Sequence, residues 1–417
     1  MIKIGTLPIV VLLSFLIGFF LGEDSLGGGK NDYFYHEKYF LDFKENFFYT
    51  FQNYGMDQIN SNVRNSPLFY IVFSFFLKIG FDISHLKYLN LFIIFPLMFY
   101  FNNCIDVKYK GISLNIKLCF LSIILISPTV RTLLIWPYPF LWALTFFVIS
   151  LYYYLKFENT VEKNEQIKNA YLNVFFLALS AYFTPNFSVF AIYFFYRYFL
   201  IYSLSKKIFN IFLLNLLLAF PAIYFIIVKD FYLFNSSVYV IDSSIKFNLS
   251  NKIIIITTII FLFFLPLSPT FQKIRSLLLK KNFLNLKFFA ILIFALLNIF
   301  YFNFLKNAGG GIFFHLSNTL LGNHILIYIV FFVSLMFFYF LNLYNFNNIL
   351  IFILFILYNM QFSIYYKYFD PLIMFIILFL IKFTGDYRIE LKKVFKKYLI
   401  FYMVFLGLNL AKIYISY

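Results

Sequence analysis

The sequence predicts an all-α polytopic membrane protein with about 13 transmembrane helices and one extended outer loop after the first helix. Three observations predict this fold class. Of the 417 residues, 63% are hydrophobic and only 12% are charged. Long apolar segments recur along the whole chain, and basic residues gather in short clusters between them. A soluble domain of this size could not bury so much apolar surface, so the bilayer must act as the solvent.

The apolar segments set the number of candidate spans. A helix needs about 20 predominantly apolar residues, within a range of about 17 to 25, to cross a bilayer. Fourteen segments approach this length: 4–21, 67–80, 87–103, 115–130, 138–156, 170–184, 187–204, 208–228, 252–269, 286–304, 323–341, 347–361, 365–383 and 398–416. No clear small-residue cleavage site follows the first segment, so we expect it to be a retained span rather than a signal peptide.

Lysine and arginine placement predicts the topology, because cytoplasmic loops carry an excess of basic residues. Five clusters are assigned to the cytoplasm on this rule: Lys108/Lys110/Lys117, Lys156/Lys163/Lys168, Arg197/Lys206/Lys207, Lys273/Arg275/Lys280/Lys281/Lys287 and Lys382/Arg388/Lys392/Lys393/Lys396/Lys397. An even number of segments separates successive clusters, as this topology requires. The loops 128–137, 184–186, 229–251, 305–322 and 362–366 then lie outside.

One segment conflicts with this topology. If the acidic loop after the first span lies outside, an odd number of spans must separate it from the cytoplasmic loop 104–117. Segments 67–80 and 87–103 together give two. Segment 67–80 is short, begins with proline and ends in Lys-Ile-Gly, so we predict that it lies along the outer interface. That leaves 13 spans in a single transmembrane domain, 1–417, with 22–86 as an outer-face loop between the first and second spans.

Charge and composition also exclude functions. The formal net charge of +17 would suggest a nucleic-acid partner in a soluble protein, but here it reports membrane orientation, so we expect no such partner. Nearly no ionisable residues fall inside the predicted spans, whereas ion-coupled transporters usually need them at mid-membrane. The two cysteines, Cys104 and Cys119, are expected to be small apolar residues rather than a disulfide or metal pair.

The first outer loop concentrates the carboxylates. Seven of the 17 acidic residues lie within 22–66: Glu23, Asp24, Asp32, Glu37, Asp42, Glu45 and Asp57. Three glycines separate the Glu23-Asp24 pair from Asp32, and His36 follows. A carboxylate near the membrane surface can act as a general base on a hydroxyl or hold a divalent cation. The alternative is a solvated loop with a flexible glycine hinge.

Other outer residues could bind a phosphate. Arg64 and Arg131 are candidates, although Arg131 could equally anchor its span by snorkelling. A second glycine triplet, Gly309–Gly311, precedes His315; its amides could contact an anion or simply form a turn. Lys367 and Asp370 open a late span, where the carboxylate could alternatively cap the helix.

The layout resembles the GT-C superfamily of membrane glycosyltransferases. The similarity lies in Gly27–Tyr70, Ser127–Trp136 and Tyr365–Leu372. Ser66–Gly80 resembles the short Pro-Leu helix of families related to protein mannosyltransferases and the lipid A aminoarabinose transferase. Lys367–Pro371 resembles a late Arg-Tyr…Pro motif, with lysine in the arginine's place. Many of these families carry a second carboxylate where this chain has Leu134-Ile135-Trp136-Pro137.

The resemblance implies an inverting glycosyltransferase that acts on the outer (periplasmic or lumenal) face of a bacterial inner membrane. The donor would be a polyprenyl-phosphate sugar, and the acceptor a lipid or glycan. Asp32 and Asp24 would be catalytic; the substrate-binding residues would be Glu23, His36, Arg64, Arg131, His315, Lys367 and Asp370. No cofactor is assigned; a divalent cation is the candidate. The alternatives are a flippase, exporter or polymerase of lipid-linked saccharides.

Overall fold

We describe residues 6–54, 65–228, 248–267, 286–305, 309–359, 363–383 and 391–415 from a computed structural model. The structure of these residues is helical, with one isolated β-bridge. The helices are α1 (Leu7–Leu21), α2 (Gly29–Glu45), α3 (Phe47–Asn53), α4 (Leu68–Lys78), α5 (His85–Leu91), α6 (Ile94–Lys108), α7 (Leu114–Ile126), α8 (Pro128–Ile135), α9 (Pro139–Asn159), α10 (Lys163–Phe183), α11 (Phe190–Tyr202), α12 (Lys206–Val228), α13 (Leu249–Phe264), α14 (Leu286–Phe300), α15 (Gly311–Leu321), α16 (Ile325–Phe340), α17 (Phe346–Tyr358), α18 (Leu372–Phe379) and α19 (Leu391–Ile415).

Long apolar helices indicate a membrane protein, and each of the fourteen predicted apolar segments overlaps a helix. The predicted number of 13 spans is not confirmed. In the described residues, five helical segments are long and apolar enough to cross a bilayer: His85–Lys108, Pro139–Asn159, Lys206–Phe225, Leu249–Leu267 and Lys393–Ala411. A sixth is added if the bent pair α7 and α8 counts as one span.

The chain divides into two compact units. The first unit is Met1–Val238 together with Tyr398–Tyr417, and the second is Tyr239–Lys397. In the first unit, α9 packs most extensively, against α10 on one side and α6 on another. The outer surface of α12 remains apolar, with Phe209, Leu217 and Phe220 more than half exposed. Such a surface suits lipid rather than water as its neighbour.

In its described residues, 22–54 and 65–86, the predicted outer loop contains three complete helices, α2, α3 and α4. Helix α2 is amphipathic: Tyr33, His36, Tyr39, Phe40 and Phe43 are buried at helical spacing, and this face packs on α4. The Phe40 and Phe73 rings stack with centroids 5.1 Å apart. Helix α4 has 11 residues, or about 16 Å at 1.5 Å per residue. It is too short to cross a bilayer alone; its place at the interface stays a prediction.

The segment 128–137 differs from its prediction as an outer loop. Residues Pro128–Ile135 form α8, in which every residue is buried, and α8 is bent by 66° from α7. The break arises locally, because the Ser127 hydroxyl accepts a hydrogen bond from the Val130 amide at 3.2 Å and Pro128 occupies the first helical turn. Serine before proline is a favoured helix start. The chain therefore begins a new, buried helix here instead of forming an exposed loop.

In the second unit, α13 lies at the centre and contacts α14, α15, α16, α17 and α18. The predicted span 365–383 is helical mainly over α18, which has eight residues, all buried. Gly309 forms a parallel β-bridge with Ile364, so the residues before α15 are tied to those before α18.

Candidate functional site

The first loop leaves α1 through a defined turn. Gly22 has φ +67°, a left-handed conformation that glycine adopts without steric cost. Its amide donates to the Phe19 carbonyl at 3.2 Å, and the Glu23 amide donates to the Gly18 carbonyl at 2.8 Å. These two bonds form a Schellman motif. The motif turns the chain back so that the Glu23 side chain lies over Gly18, where a methyl group would overlap its carboxylate.

Glu23 is paired with Arg131 of α8. Arg131 Nε donates to Glu23 Oε1 at 2.7 Å, and the Arg131 terminal nitrogen Nη2 donates to Glu23 Oε2 and to the Ser14 carbonyl at 3.1 Å. The two charged side chains are only 3% and 11% exposed. A bidentate pair of this kind neutralises both charges and fixes the angle between its partners. The two predicted substrate-binding residues thus bind each other, and a contact of either with substrate stays a prediction.

A second set of contacts joins the loop to α8. The Ser25 hydroxyl donates to the Pro128 carbonyl at 3.0 Å, and the Leu26 amide donates to Thr132 Oγ1 at 3.1 Å. Gly29 lies against the Thr132 methyl group so closely that a side chain at Gly29 would overlap it. The Trp136 indole N–H donates to the Glu23 carbonyl at 3.1 Å. The start of the predicted catalytic loop is therefore anchored to α8 along its length.

Asp24 caps the start of α2. Its Oδ1 accepts hydrogen bonds from the amides of Gly27 and Gly29, each at 3.1 Å, and its Oδ2 accepts one from the Lys30 amide at 3.1 Å. A carboxylate at a helix N-terminus satisfies amides that lack helical partners. The geometry gives this predicted catalytic residue a structural role, and a catalytic role for it stays a prediction.

Asp32 lies in the first turn of α2 and is half-exposed. One turn later, His36 Nδ1 is 2.8 Å from the Tyr70 hydroxyl of α4, and the His36 ring packs edge-on against Tyr138, with centroids 4.8 Å apart. The pKa of Tyr70 is raised, mainly by burial of its hydroxyl, and the Asp32 carboxylate acts in the same direction. Asp32 therefore lies close enough to the buried Tyr70 to interact with it electrostatically. His36 is also buried.

Two lysines converge on one aromatic side chain near the start of α2. Lys87 Nζ lies 3.8 Å from the centre of the Trp136 ring and 5.5 Å from that of Tyr33. Lys30 Nζ lies 5.7 Å from the centre of Trp136. The Lys87 ammonium group interacts electrostatically with Lys30 and with Glu37. Lysines over an indole gain cation–π attraction, and two such charges in one place favour an anionic ligand.

Tyr33 supplies a neutral hydroxyl to the same group. Burial, and secondly the charge of Glu37, raise the pKa of Tyr33 well above its ordinary value. The hydroxyl therefore stays protonated at neutral pH and can donate, as it does to the Ile83 carbonyl at 3.5 Å. We call Lys30, Lys87, Tyr33 and Trp136 the lysine–indole cluster.

The second unit holds three of the predicted site residues. His315 is exposed on α15. Gly309, Gly310 and Gly311 all have positive φ, as the predicted turn requires, but the Gly310 amide donates to the Ile364 carbonyl at 2.9 Å. That amide serves the turn rather than an anion. A phosphate contact by the other amides stays a prediction.

Lys367 and Asp370 lie just before α18. Lys367 is half-buried, with its Nζ 5.8 Å and 5.5 Å from the ring centres of Tyr365 and Tyr368. Asp370 is buried, is followed by a cis peptide bond to Pro371, and interacts electrostatically with Tyr366. Their proposed contact with substrate stays a prediction.

Arg64 lies outside the described residues, as does Asp57 of the acidic loop. Within the described ranges, no group of three or more histidine, cysteine, aspartate or glutamate side chains is arranged to hold a metal ion. A divalent cation held by the first-loop carboxylates stays a prediction. Both cysteines are buried and unbridged.

Sequence reasoning missed several polar residues that build this site. Lys87 follows His85 at the start of a predicted span and was not singled out. Asn90, fully buried, donates to the carbonyls of Leu133 and Leu134 at 2.7 and 2.9 Å and accepts from the Trp142 indole at 2.9 Å. An asparagine between apolar residues of a span is a signal that could have located this contact, because a buried amide needs partners.

Comparison with known proteins adds no relative to this geometry. No protein-family model matches the chain, and neither the curated proteins nor the solved structures include a significant match.

Proposed function

We propose that this protein is a membrane glycosyltransferase of the GT-C type. It transfers a sugar from a polyprenyl-phosphate-linked donor to a lipid or glycan acceptor. The reaction takes place on the outer (periplasmic or lumenal) face, with the protein in a bacterial inner membrane. The proposal rests on the resemblance of the chain to that superfamily and on the arrangement of the first loop.

The observation that carries the proposal is the convergence of Lys30 and Lys87 on Trp136 at the start of α2, whose first turn also carries the half-exposed Asp32. Glycosyl transfer from a lipid phosphate needs a base for the acceptor hydroxyl and positive charge for the departing phosphate. The buried Tyr33 and Trp136 rings support the ammonium groups of the two lysines by cation–π attraction. The start of α2, together with Lys87, supplies both kinds of group.

Asp32 is the base in this proposal. Its carboxylate takes the proton of the acceptor hydroxyl, and the acceptor oxygen forms a bond to the anomeric carbon. The bond from that carbon to the phosphate oxygen breaks, and the polyprenyl phosphate leaves with the electron pair. Attack opposite the leaving group inverts the anomeric configuration. The ammonium groups of Lys30 and Lys87 stabilise the charge on the departing phosphate.

Asp24, Glu23 and Arg131 act differently from Asp32. Asp24 accepts three amide hydrogen bonds at the start of α2, and Glu23 is paired with Arg131. We assign them to positioning: they hold α2 against α8, which places Asp32 and Lys30 at the end of α1. His36 supports the same helix through its contact with Tyr70.

The experiment uses the purified full-length protein in proteoliposomes with a panel of radiolabelled polyprenyl-phosphate sugars. Wild type should release polyprenyl phosphate from at least one donor in the presence of membrane acceptors. Asp32→Asn should abolish release while expression is retained. Glu45→Gln is the matched control, because Glu45 is exposed at the other end of the same helix, and it should leave release unchanged.

Two results would overturn the proposal. One is release of polyprenyl phosphate by the Asp32→Asn protein at the level of the wild type. The other is movement of intact labelled lipid between leaflets with no release of polyprenyl phosphate, which would identify a flippase.

A further inference from the structure

A second polar cluster lies in the first unit, away from the first loop. Arg197 Nη2 of α11 donates to Glu158 Oε1 of α9 at 2.7 Å, and Arg197 Nε donates to the Tyr154 hydroxyl at 3.0 Å. The Tyr154 hydroxyl in turn donates to Glu158 Oε1 at 2.7 Å. The three side chains form a closed triangle that fixes the guanidinium against its carboxylate.

A cavity of about 410 Å³ opens beside this triangle. It is lined by Lys108, Glu158, Asn159, Arg197 and Ile201. Lys108 ends α6 and interacts electrostatically with both Glu158 and Arg197, so its ammonium group shares this space. In the described part of the chain, Lys108 forms no ion pair of its own. The lining therefore carries two cations and one carboxylate.

The charge balance of the cavity favours an anion. Arg197 and Glu158 neutralise each other within the triangle, and the charge of Lys108 is left in excess. A half-buried ammonium group loses part of its hydration and gains most from a charged acceptor. A phosphate oxygen meets this need, and the nearby guanidinium supplies additional positive potential.

The cavity and the lysine–indole cluster lie at opposite ends of the same helices. The 24-residue segment His85–Lys108 carries Lys87 near its start and Lys108 at its end. The 21-residue α9 begins three residues after Trp136 and carries Glu158 in its last turn. At 1.5 Å per residue these segments are about 36 and 32 Å long, which matches the roughly 30 Å hydrocarbon thickness of a bilayer. The cavity thus belongs to the membrane surface opposite the first loop.

The rim of the cavity is apolar on one side. Ile201 lines the cavity and is 45% exposed, and its neighbour Leu200 on α11 is 52% exposed. In a bilayer these side chains face acyl chains. A ligand that combines a phosphate with acyl chains can contact both the cations that line the cavity and this apolar rim. A soluble phosphate can contact only the cations.

We propose that this cavity binds the phosphate group of an anionic phospholipid at the membrane surface opposite the first loop. Lys108 donates directly to the phosphate, and Arg197, held by Glu158 and Tyr154, adds charge from the cavity wall. The acyl chains lie along the Leu200–Ile201 side of α11. The site is separate from the proposed catalytic end, and its binding does not depend on glycosyl transfer.

The test is a lipid titration of the purified full-length protein in detergent, followed by native mass spectrometry. Phosphatidylglycerol is compared with phosphatidylcholine of the same acyl chains. Lys108→Gln removes the excess charge and leaves the Arg197–Glu158–Tyr154 triangle in place. Lys110→Gln is the matched control, because Lys110 is an exposed lysine two residues away that does not line the cavity. Lys108→Arg retains the charge and checks that any loss is not caused by misfolding.

Wild type, Lys110→Gln and Lys108→Arg should bind phosphatidylglycerol more tightly than phosphatidylcholine. Lys108→Gln should weaken phosphatidylglycerol binding by about tenfold, the scale of one lost charge-assisted hydrogen bond. Equal binding by wild type and Lys108→Gln would overturn the proposal, as would an equal loss in Lys110→Gln.

A second arm separates lipid from soluble phosphate. Glycerol 3-phosphate, tested by thermal stabilisation of the same proteins, should give no Lys108-dependent shift. If it stabilises wild type and not Lys108→Gln, while phosphatidylglycerol shows no dependence on Lys108, the cavity takes a soluble phosphate ester and the lipid assignment is wrong.

Discussion

Two arginine–glutamate pairs lie near opposite ends of the first unit, and their surroundings differ. The Arg131–Glu23 side chains are 3% and 11% exposed, and their pairing fastens the first loop to α8. The Arg197–Glu158 side chains are 14% and 20% exposed and border a cavity that also contains Lys108. At one end of the unit, an arginine–glutamate pair is buried and fixes the first loop. At the other end, such a pair lies beside an excess cation, Lys108. We therefore treat the Arg131–Glu23 pair as structural and the Arg197–Glu158 pair as part of the proposed binding site.

The largest expected effect concerns the side of the membrane on which each end of the first unit lies. We expect a cysteine replacing Lys30 to react with a membrane-impermeant maleimide added outside intact cells, and one replacing Lys110 to react only after permeabilisation. The reason is that helices of bilayer length separate the two ends. The native Cys104 and Cys119 are buried and give a low background. Labelling of both positions from the same side would break the comparison between the two ends.

A cysteine replacing Lys78 extends this test to α4. If α4 lies along the outer interface, the Lys78 position at its exposed end should react from outside. Protection from the external reagent together with access from the cytoplasm would show that α4 crosses.

Breaking the Arg131–Glu23 pair should cause the largest loss of stability. Arg131→Met leaves Glu23 charged and buried, and we expect a loss of about 3 to 5 kcal/mol in the free energy of unfolding. Arg197→Met should cost less, because Glu158 is more exposed and lies near Lys108. Reversible unfolding in mixed detergent micelles measures both.

The double variant Glu23→Gln/Arg131→Met sharpens this prediction. It removes the orphaned charge and should recover part of the stability lost in Arg131→Met. An equal loss in Arg131→Met and Arg197→Met, or no recovery in the double variant, would contradict the distinction between the two pairs.

Two adjacent glycines offer a matched test of how closely the first loop approaches α8. Gly29→Ala places a methyl group into Thr132, whereas Gly28→Ala meets nothing within 4 Å. We expect Gly29→Ala to lower the free energy of unfolding by about 1 to 3 kcal/mol, the usual cost of overpacking. Gly28→Ala should leave it nearly unchanged. Thermal unfolding in detergent compares the two variants. Equal unfolding temperatures would contradict the close contact between Gly29 and Thr132.

The smallest stability effect separates the two first-loop aspartates. Asp24→Asn loses the charge of a cap that accepts three amides, and we expect a loss of about 0.5 to 2 kcal/mol. Asp32→Asn should change the free energy of unfolding less, since Asp32 is half-exposed in the first turn of α2, where its charge complements the helix dipole. Unfolding curves of the two proteins decide the order; a larger loss for Asp32→Asn would reverse their roles.

The helices of this chain were largely predictable because each one is indicated by a local run of apolar residues in the sequence. Each predicted apolar segment overlaps a helix, and the amphipathic face of α2 is readable from Tyr33, His36 and Phe40. The number of spans did not follow, because helix length and bends depend on local caps. Ser127 and Pro128 start α8 inside what hydropathy alone treats as the end of a span.

The site was only partly predictable. Arg131 was singled out, but its partner Glu23 is 108 residues away in the chain, and only folding reveals that the two charges cancel. Asp24 and Asp32 were equivalent as loop carboxylates until the amides of Gly27, Gly29 and Lys30 were placed around one of them. Glu158 and Arg197 lay within regions interpreted only as topology signals, so the cavity they line was not foreseen.

The most direct test of the central claim is polyprenyl phosphate release per folded molecule by Asp24→Asn and Asp32→Asn proteoliposomes, each normalised to the folded fraction. The account predicts that Asp24→Asn keeps near wild-type release per folded molecule, because it only positions the loop, while Asp32→Asn has none although it is folded. Wild-type release per folded molecule by Asp32→Asn would contradict the assignment of Asp32 as the catalytic base.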